Sequence, residues 1–516
     1  MRLSKKIIEI RLKNNKKCRI ILLKVTKKHR LSKKIGANML VGRNNEKEVL
    51  LNALNKDSSS FIAIYGRRRI GKTDLVNNTY KNVFTFKHTG LYKKTKKEQL
   101  KHFALSLEKK GYKSTRKFQD WADAFFALEK YIENCNEEKK VIFIDEISWL
   151  DNQKSDFLSQ FENFWNDFCF ARTDIVLIVC SSATSWIINK VIHSKGGLYN
   201  RLTNRIYLSQ FTLAECQDFV KEYKLSLNKE QILQYYMIMG GIPYYWTFLV
   251  QYRGMSIAQI VDKVQFSSDA ELKDEYKYLF ASIFDKPEGY QKIIGALGTK
   301  KAGMTRDEII EATKLGNTGN LSEKLEELSS CGFIRKYTPL GRVKKNSIYQ
   351  LIDNYILFYY RFVEKNNTQD EHYWTNQLNT SRINSWQGLA FERVCLLHVE
   401  QIKKKLQIQG IISENYSMIC KADFDKGING SQMDLIIDRR DQIINLCEMK
   451  YYNTEYTLGI EESKKIKRRI NDLQIVSKTK HAIQPILITT YGLVPNSYSD
   501  IFLNVVTLED LFQPCI

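Results

Sequence analysis

Apolar and polar positions change rhythm several times along the chain. Up to about residue 211, short apolar runs alternate with helix-like stretches. Phe61 to Tyr65 is one such run, "KKVIFIDEISWLD" holds a second and "DIVLIVCSSATSWII" a third. Runs of this length, bounded by turn residues, read as strands buried on both faces. Their alternation with helices predicts a parallel sheet with its site at the strands' carboxyl ends. From about 212 to 285 the pattern is helical, and aromatic runs such as "YYMIMGGIPYYW" read mostly as core.

Residues 286–351 change character again. Thr305 and Glu308 are spaced for a capping box at a helix start. A second helix (Leu321 to Ser330), a strand (Phe333 to Tyr337), a basic turn and another strand (Ser347 to Leu351) complete a winged helix-turn-helix pattern. One reading is DNA contact through the second helix and the Arg342–Lys345 wing. The other is a structural relay, favoured because Glu323, Glu326 and Glu327 on that helix would repel phosphates. "YILFYYRFVEKNN" reads as a buried helix ending near a polar linker at about 365–385. From 386 onward the order is helix, strand, strand, strand, helix, strand.

Composition narrows the class. The 516 residues are 43% hydrophobic and 27% charged, as in a globular protein of several domains. No apolar window is long enough to span a membrane, so no membrane association is expected. The ten cysteines form no C-x-x-C pair, which excludes a zinc ribbon or disulfide scaffold and fits a reducing cytoplasm. Net charge is +23, which points to an anionic partner, nucleic acid first, with DNA favoured over RNA. Residues 1–38, however, hold 14 Lys/Arg and one acid, so the remainder carries 23 − 13 = +10. The first 38 residues read either as a basic arm that binds phosphates or as a mis-assigned start ahead of Met39.

The strongest chemical signal is "YGRRRIGKTD" after the first strand. It fits G-x-x-x-x-G-K-T, with Arg67, Arg68, Arg69 and Ile70 as its variable positions. Gly66 and Gly71 let the loop wrap phosphates with backbone N–H groups, and the following helix aims its positive end at them. Lys72 would reach the β- and γ-phosphates of ATP, and Thr73 would hold Mg²⁺. Asp145, at the end of the second apolar run, would orient the magnesium water shell. Glu146 would polarise the attacking water. Ser181 or Ser182 could sense the γ-phosphate.

"MLVGRNNEKEVLLNAL", the GRRRIGKT loop, "IFIDEISWL", "GGLYNRLTNRIYLSQFTLAE" and "GGIPYYWTFLV" follow in that order over residues 39–285. Together they resemble an ATPase family found mainly in archaea and also in bacteria, a branch of the AAA+-related STAND ATPases. The resemblance implies that Gly42 and Arg43 lie by the adenine. It offers Arg201 or Arg205 as a γ-phosphate arginine, with a solvated basic face as the alternative. It implies that Gly241 and Pro243 form the G-x-P of a helical lid whose proline touches nucleotide. A homo-oligomer is compatible with it.

In "MDLIIDRRDQIINLCEMKYY", Glu448 and Lys450 share one strand face, and a three-residue loop (Arg440 to Gln442) would set Asp434 opposite Glu448. Like charges facing across a ladder repel, and a divalent cation between them removes that penalty. The upstream "SWQGLAFERVCLLHVEQIKKKL" places Glu392 in an apolar turn. The order of elements from 386 to 516 resembles the PD-(D/E)XK nuclease superfamily, most closely the C-terminal domain that accompanies these ATPases. That resemblance implies Glu392, Asp434, Glu448 and Lys450 as the catalytic set, with Asp434 and Glu448 holding Mg²⁺ or Mn²⁺. Met433 stands where that superfamily often has proline.

The expected architecture is therefore α/β: a P-loop NTPase parallel sheet (39–211), a helical lid (212–285), a winged helix-turn-helix (286–351), a connecting helix and linker (352–385) and a nuclease-like α/β domain (386–516). The expected activity is ATP hydrolysis joined to Mg²⁺-dependent cleavage of nucleic acid. The competing expectation is a non-cleaving switch or scaffold, or a regulator acting through the winged helix.

Overall fold

The computed structural model describes residues 40–113, 117–152, 155–194, 196–284, 286–341, 347–366 and 368–514. The basic arm expected over residues 1–38 and the basic turn Arg342–Lys345 lie outside the described residues.

Strands β1 (Ser60–Tyr65), β2 (Phe84–Thr89), β3 (Lys140–Asp145), β4 (Ile175–Ser181) and β5 (Asn204–Tyr207) form one sheet in the order β2-β3-β4-β1-β5. Every pairing in it is parallel. Strict alternation divides the apolar side chains between two cores. Phe61 and Ala63 of β1 face one, while Ile62 and Ile64 face the other. Burial on both faces is what the continuous apolar runs require. Helices α1 (Asn44–Leu54) and α2 (Lys72–Thr79) pack together beside the sheet. Next, in the stretch expected as a lid, come α3 (Leu213–Glu222), α4 (Lys229–Met239), α5 (Pro243–Gln251) and α6 (Glu275–Ile283). Thr212 with Glu215, and Asn228 with Gln231, box the starts of α3 and α4, and Pro243 takes the first position of α5, where no N–H is needed.

The middle module holds α7 (Glu288–Thr299), β6 (Met304–Thr305), α8 (Arg306–Thr313), α9 (Gly319–Ser330), β7 (Ile334–Tyr337) and β8 (Ile348–Leu351). Its strands run in the order β6-β8-β7, and Thr305 and Glu308 make the capping box of α8. Helix α9 packs against the short helix Thr184–Trp186 that follows β4. Its Glu323 and Glu326 face solvent, and Glu327 accepts the Tyr290 hydroxyl.

The C-terminal module begins with α10 (Ser381–Leu397), which packs on α4 of the lid. Its sheet runs β13-β12-β11-β10-β9, from β9 (Ser413–Cys420), β10 (Ser431–Arg439), β11 (Ile443–Lys450), β12 (Ala482–Thr489) and β13 (Asn504–Val506). The first three strands pair antiparallel and the last two join parallel. Helix α11 (Ile460–Ser477) crosses between β11 and β12 and covers the face opposite α10. No helix among the described residues is long and apolar enough to cross a membrane.

Candidate functional site

The loop between β1 and α2 holds its shape through two glycines in conformations that side chains avoid: φ is 140° at Gly66 and 90° at Gly71. A Cβ on Gly66 would stand 2.4 Å from the Leu208 carbonyl oxygen. Lys72 Nζ donates to the carbonyls of Gly66 at 2.8 Å and Arg67 at 3.0 Å, inside the curl of the loop. Thr73 Oγ1 donates to Asp145 Oδ2 at 2.9 Å, so the hydroxyl and carboxylate that would hold Mg²⁺ already share one place. The other Asp145 oxygen accepts the Glu146 N–H at 3.0 Å.

Glu146 has a left-handed backbone (φ 48°), a strained conformation that re-aims its side chain. Its Oε2 accepts both the Ser182 N–H and the Ser182 hydroxyl at 2.8 Å. Burial raises the Glu146 pKa, against the opposing effects of the Lys72 charge and the Ser182 hydrogen bonds. Ser182 therefore positions the carboxylate. Ser181 pairs instead with Ser148, at 2.7 Å.

A cleft of about 750 Å³ opens over the loop. Arg43, Arg68, Arg69, Ile70, Gly71, Lys72, Thr73, Glu146 and Pro243 line it, as do Val41, Phe211, Phe219 and Tyr223. The aromatic wall has no local motif; it forms only when the start of the lid folds back over α1 and α2. Gly42 (φ 63°) carries the chain past Glu215, whose Oε1 would lie 2.9 Å from a Cβ there. Arg43 donates to the Ser209 carbonyl at 2.5 Å and lies over Phe211, 4.8 Å from the ring centre. Gly241 permits the lid to touch the core. A Cβ there would meet the Phe211 carbonyl oxygen at 2.0 Å.

The arginine side chains go different ways. Arg67 does not face the cleft: its guanidinium forms a buried ion pair with Asp353, just after β8, and lies over Phe333. Arg69 lines the cleft but is engaged by Glu275 of α6 at 2.6 Å and by the face of Tyr244 at 4.0 Å. Arg201 stacks on Phe170, 4.5 Å from its centre, and Arg205 is exposed on the edge strand β5. Neither lines the cleft. Long cationic side chains go to the nearest carboxylate or ring, and sequence order does not say which one that is.

In the C-terminal module the connection Arg440–Gln442 is the short loop expected, with Gln442 at φ 66°. The β10–β11 register is the one expected: Leu435 pairs with Cys447, and its continuation sets Asp434 opposite Glu448, one position beyond the paired residues. The side chains, however, do not share a face. A bulge falls between Met433 and Ile436 in the pairing with β9. Met433 and Ile436 both enter the cluster beneath α11, which three positions of plain alternation would forbid. The bulge absorbs one residue and turns Asp434 with Leu435 toward α10. There the Asp434 charge acts on Glu392.

The predicted set is thus divided. Glu392, on α10, has a pKa raised to about 7, first by burial and then by Asp434, against the Lys301 charge. Its Oε1 accepts Lys301 Nζ at 2.6 Å, while its Oε2 is buried without a partner. Asp434 Oδ1 accepts Gln432 Nε2 at 2.7 Å. Glu448 lies on the α11 face, in ion pairs with Lys450 at 3.1 Å and with Arg469. Lys450 also meets Glu462 at 3.1 Å. Burial works against the Lys450 ammonium, but the two glutamates outweigh it and push its pKa up. Among the described residues no three or more His, Cys, Asp or Glu side chains gather as a metal cluster. Sequence reasoning missed Lys301, Arg335, Arg393 and Arg469. Of these only Arg469 carried a signal, its place in the basic run of α11.

Residues 40–249 match the model of a family described as an ATPase domain predominantly from Archaea. The uncharacterised protein MJECL04 of Methanocaldococcus jannaschii is 28% identical over 369 residues, 71% of this chain and 78% of that protein. Among solved structures, the Walker-type ATPase of Pyrococcus abyssi is 15% identical with a TM-score of 0.44, covering 63% of this chain and 96% of its own. The Aeropyrum pernix ORC2 protein, solved as ADPNP–ADP complexes, is 13% identical with a TM-score of 0.40, covering 63% and 95%. The loop geometry and the family match together make residues 40–249 a P-loop ATPase domain, and the chain an ATP hydrolase.

Proposed function

Starting from that ATPase domain, we propose an ATP-hydrolysing switch whose C-terminal module is a Mg²⁺-dependent nuclease-like effector acting on nucleic acid, DNA in the first instance. In the ATP site, Lys72 would leave the Gly66 and Arg67 carbonyls for the phosphates. Thr73 and Asp145 would hold Mg²⁺, which supplies charge neutralisation when bound. Glu146 would orient the attacking water from the position that Ser182 gives it. Closure of the lid onto Phe211 and Arg43 would carry α6 with it, and through Arg69 and Glu275 the loop and lid would move together.

The observation that carries the effector reading is the buried, unpartnered Oε2 of Glu392 beside Asp434, in a module ordered helix, three strands, helix, strand. A carboxylate oxygen without a donor, in the field of a second carboxylate, is a place for a cation. Asp434 and Glu392 would hold it, with further ligands from backbone carbonyls, water and the substrate phosphate. Glu448 and Lys450, at the point where β10 and β11 part, would complete the site once Asp434 and Glu448 approach. Lys450 would then offset charge at the scissile phosphate. The competing reading, a non-cleaving binder, draws on one observation: Arg469 already neutralises Glu448.

The experiment is incubation of purified protein with labelled DNA and RNA, with and without Mg²⁺ and ATP. Cleavage that disappears in Glu448→Ala and Lys450→Ala supports the effector reading, and cleavage indifferent to both refutes it. Loss of phosphate release in Lys72→Ala is the corresponding expectation for the ATP site.

A further inference from the structure

The candidate nuclease face is met by a cation from outside its own module. Lys301 lies in the turn between α7 and β6, and its ammonium reaches Glu392 Oε1 at 2.6 Å. The turn is fixed from behind. Its Lys301 carbonyl accepts Gln350 Nε2 at 2.8 Å and Arg393 Nη2 at 2.7 Å, and both of those side chains are 1% exposed. Arg393 also donates to the Leu351 carbonyl at 3.1 Å, at the end of β8. From β7, Arg335 reaches Ser417 Oγ at 2.8 Å and the Asp434 carbonyl at 3.3 Å. Middle-module groups therefore hold the Glu392 side chain and the Asp434 backbone at once.

We infer that the middle module autoinhibits the C-terminal module: the Lys301 ammonium is a built-in counter-ion that keeps Glu392 from a divalent cation. This rests on the effector reading for its meaning, though not for its test. Lys301 is half exposed while Glu392 is nearly buried, so the lysine can swing into solvent and leave the carboxylate open. With Lys301 on Oε1, a metal approaching the free Oε2 meets the ammonium's charge and a carboxylate already partly neutralised, so the latch lowers the cation affinity. The same module is gripped from the ATP site, where Arg67 holds Asp353 and Phe333 at the ends of β8 and β7. Movement of the P-loop thus has a direct mechanical route to the turn that carries Lys301.

The test compares the full chain with Lys301→Gln and Lys301→Ala, neither of which removes a buried group. Mn²⁺ binding in buffer without nucleotide is read from the free-Mn²⁺ electron paramagnetic resonance signal. Cleavage of labelled duplex DNA with Mg²⁺ is read in parallel. Both variants should bind Mn²⁺ about 5- to 150-fold more tightly, the usual range of coupling between sites, and adding Glu392→Gln should erase the gain. Unchanged Mn²⁺ affinity overturns the latch, whatever the cleavage result. Tighter Mn²⁺ binding with no cleavage by any variant upholds the latch and sinks the effector reading. Unchanged Mn²⁺ affinity with Glu448-dependent cleavage does the reverse.

Discussion

Acidification should weaken the joint between the lid and the C-terminal module through one histidine. His398 is 1% exposed, at the end of α10. Its Nε2 accepts the Leu213 N–H at 2.9 Å, and its Nδ1–H donates to the Val394 carbonyl at 2.7 Å. Leu213 opens α3, so a side chain from the C-terminal module caps the helix that carries Phe219 and Tyr223 into the nucleotide cleft. Only the neutral ring can accept the N–H. Burial lowers the pKa to about 4, despite the Val394 carbonyl, from the ordinary 6.5. Between those values the unfolded chain binds the proton and the native one does not, so stability rises with pH across that window. The contribution is complete above about pH 6.5 and is lost as pH falls toward 4. At 1.36 kcal/mol per unit the full effect is about 3 kcal/mol, of which about 2.5 kcal/mol has gone by pH 4.5. Urea unfolding of the parent and of His398→Gln at pH 7.5 and 4.5 isolates the term, because buried His88, also depressed, to about 3, contributes equally to both. The parent should lose about 2.5 kcal/mol more than the variant over that interval. Coincident pH dependences would refute the argument.

Three further outcomes are expected. Arg67→Met leaves Asp353 buried without its partner and should cost about 3–5 kcal/mol, while Arg67→Met/Asp353→Asn should recover much of that; additive losses in the double-mutant cycle would deny the coupling. Gly241→Ala drives a Cβ against Phe211 and should destabilise by about 1–3 kcal/mol while weakening ATP binding, measured by thermal shift and by fluorescent-nucleotide titration; an unchanged melting temperature would contradict the contact geometry. Ser182→Ala removes the hydroxyl hydrogen bond that helps hold the Glu146 pKa down and leaves the backbone one in place, so the acidic limb of the pH–rate profile for ATP hydrolysis should move to higher pH, and an unmoved limb would show that the Ser182 hydroxyl does not act through Glu146.

The nucleotide site was largely legible in the sequence, and the nuclease-like face was not. Gly66, Gly71, Lys72, Thr73, Asp145 and Glu146 are adjacent or sit at strand ends. Once β1 and β3 lie in one parallel sheet, the Thr73–Asp145 contact follows from the fold. The arginines behave differently. Arg67, Arg68 and Arg69 look alike in sequence, yet Arg67 leaves the cleft for Asp353 because that carboxylate, 286 positions on, is the one brought beneath the loop. The placing of Asp434, Glu448 and Lys450 on one face was read from strand alternation, and alternation assumes an unbroken pleat. The bulge at Met433–Ile436 breaks it and separates Asp434 from Glu448.

By itself, then, the sequence determined what depends on neighbours: the parallel sheet, the phosphate loop, the helix caps and the short Arg440–Gln442 loop. These follow from spacing, side-chain alternation and backbone freedom over a few residues. Only the tertiary structure decided where long charged side chains end, which histidine caps the lid, and which lysine meets Glu392. Those outcomes depend on which distant groups packing brings within hydrogen-bond reach, and no local pattern encodes that.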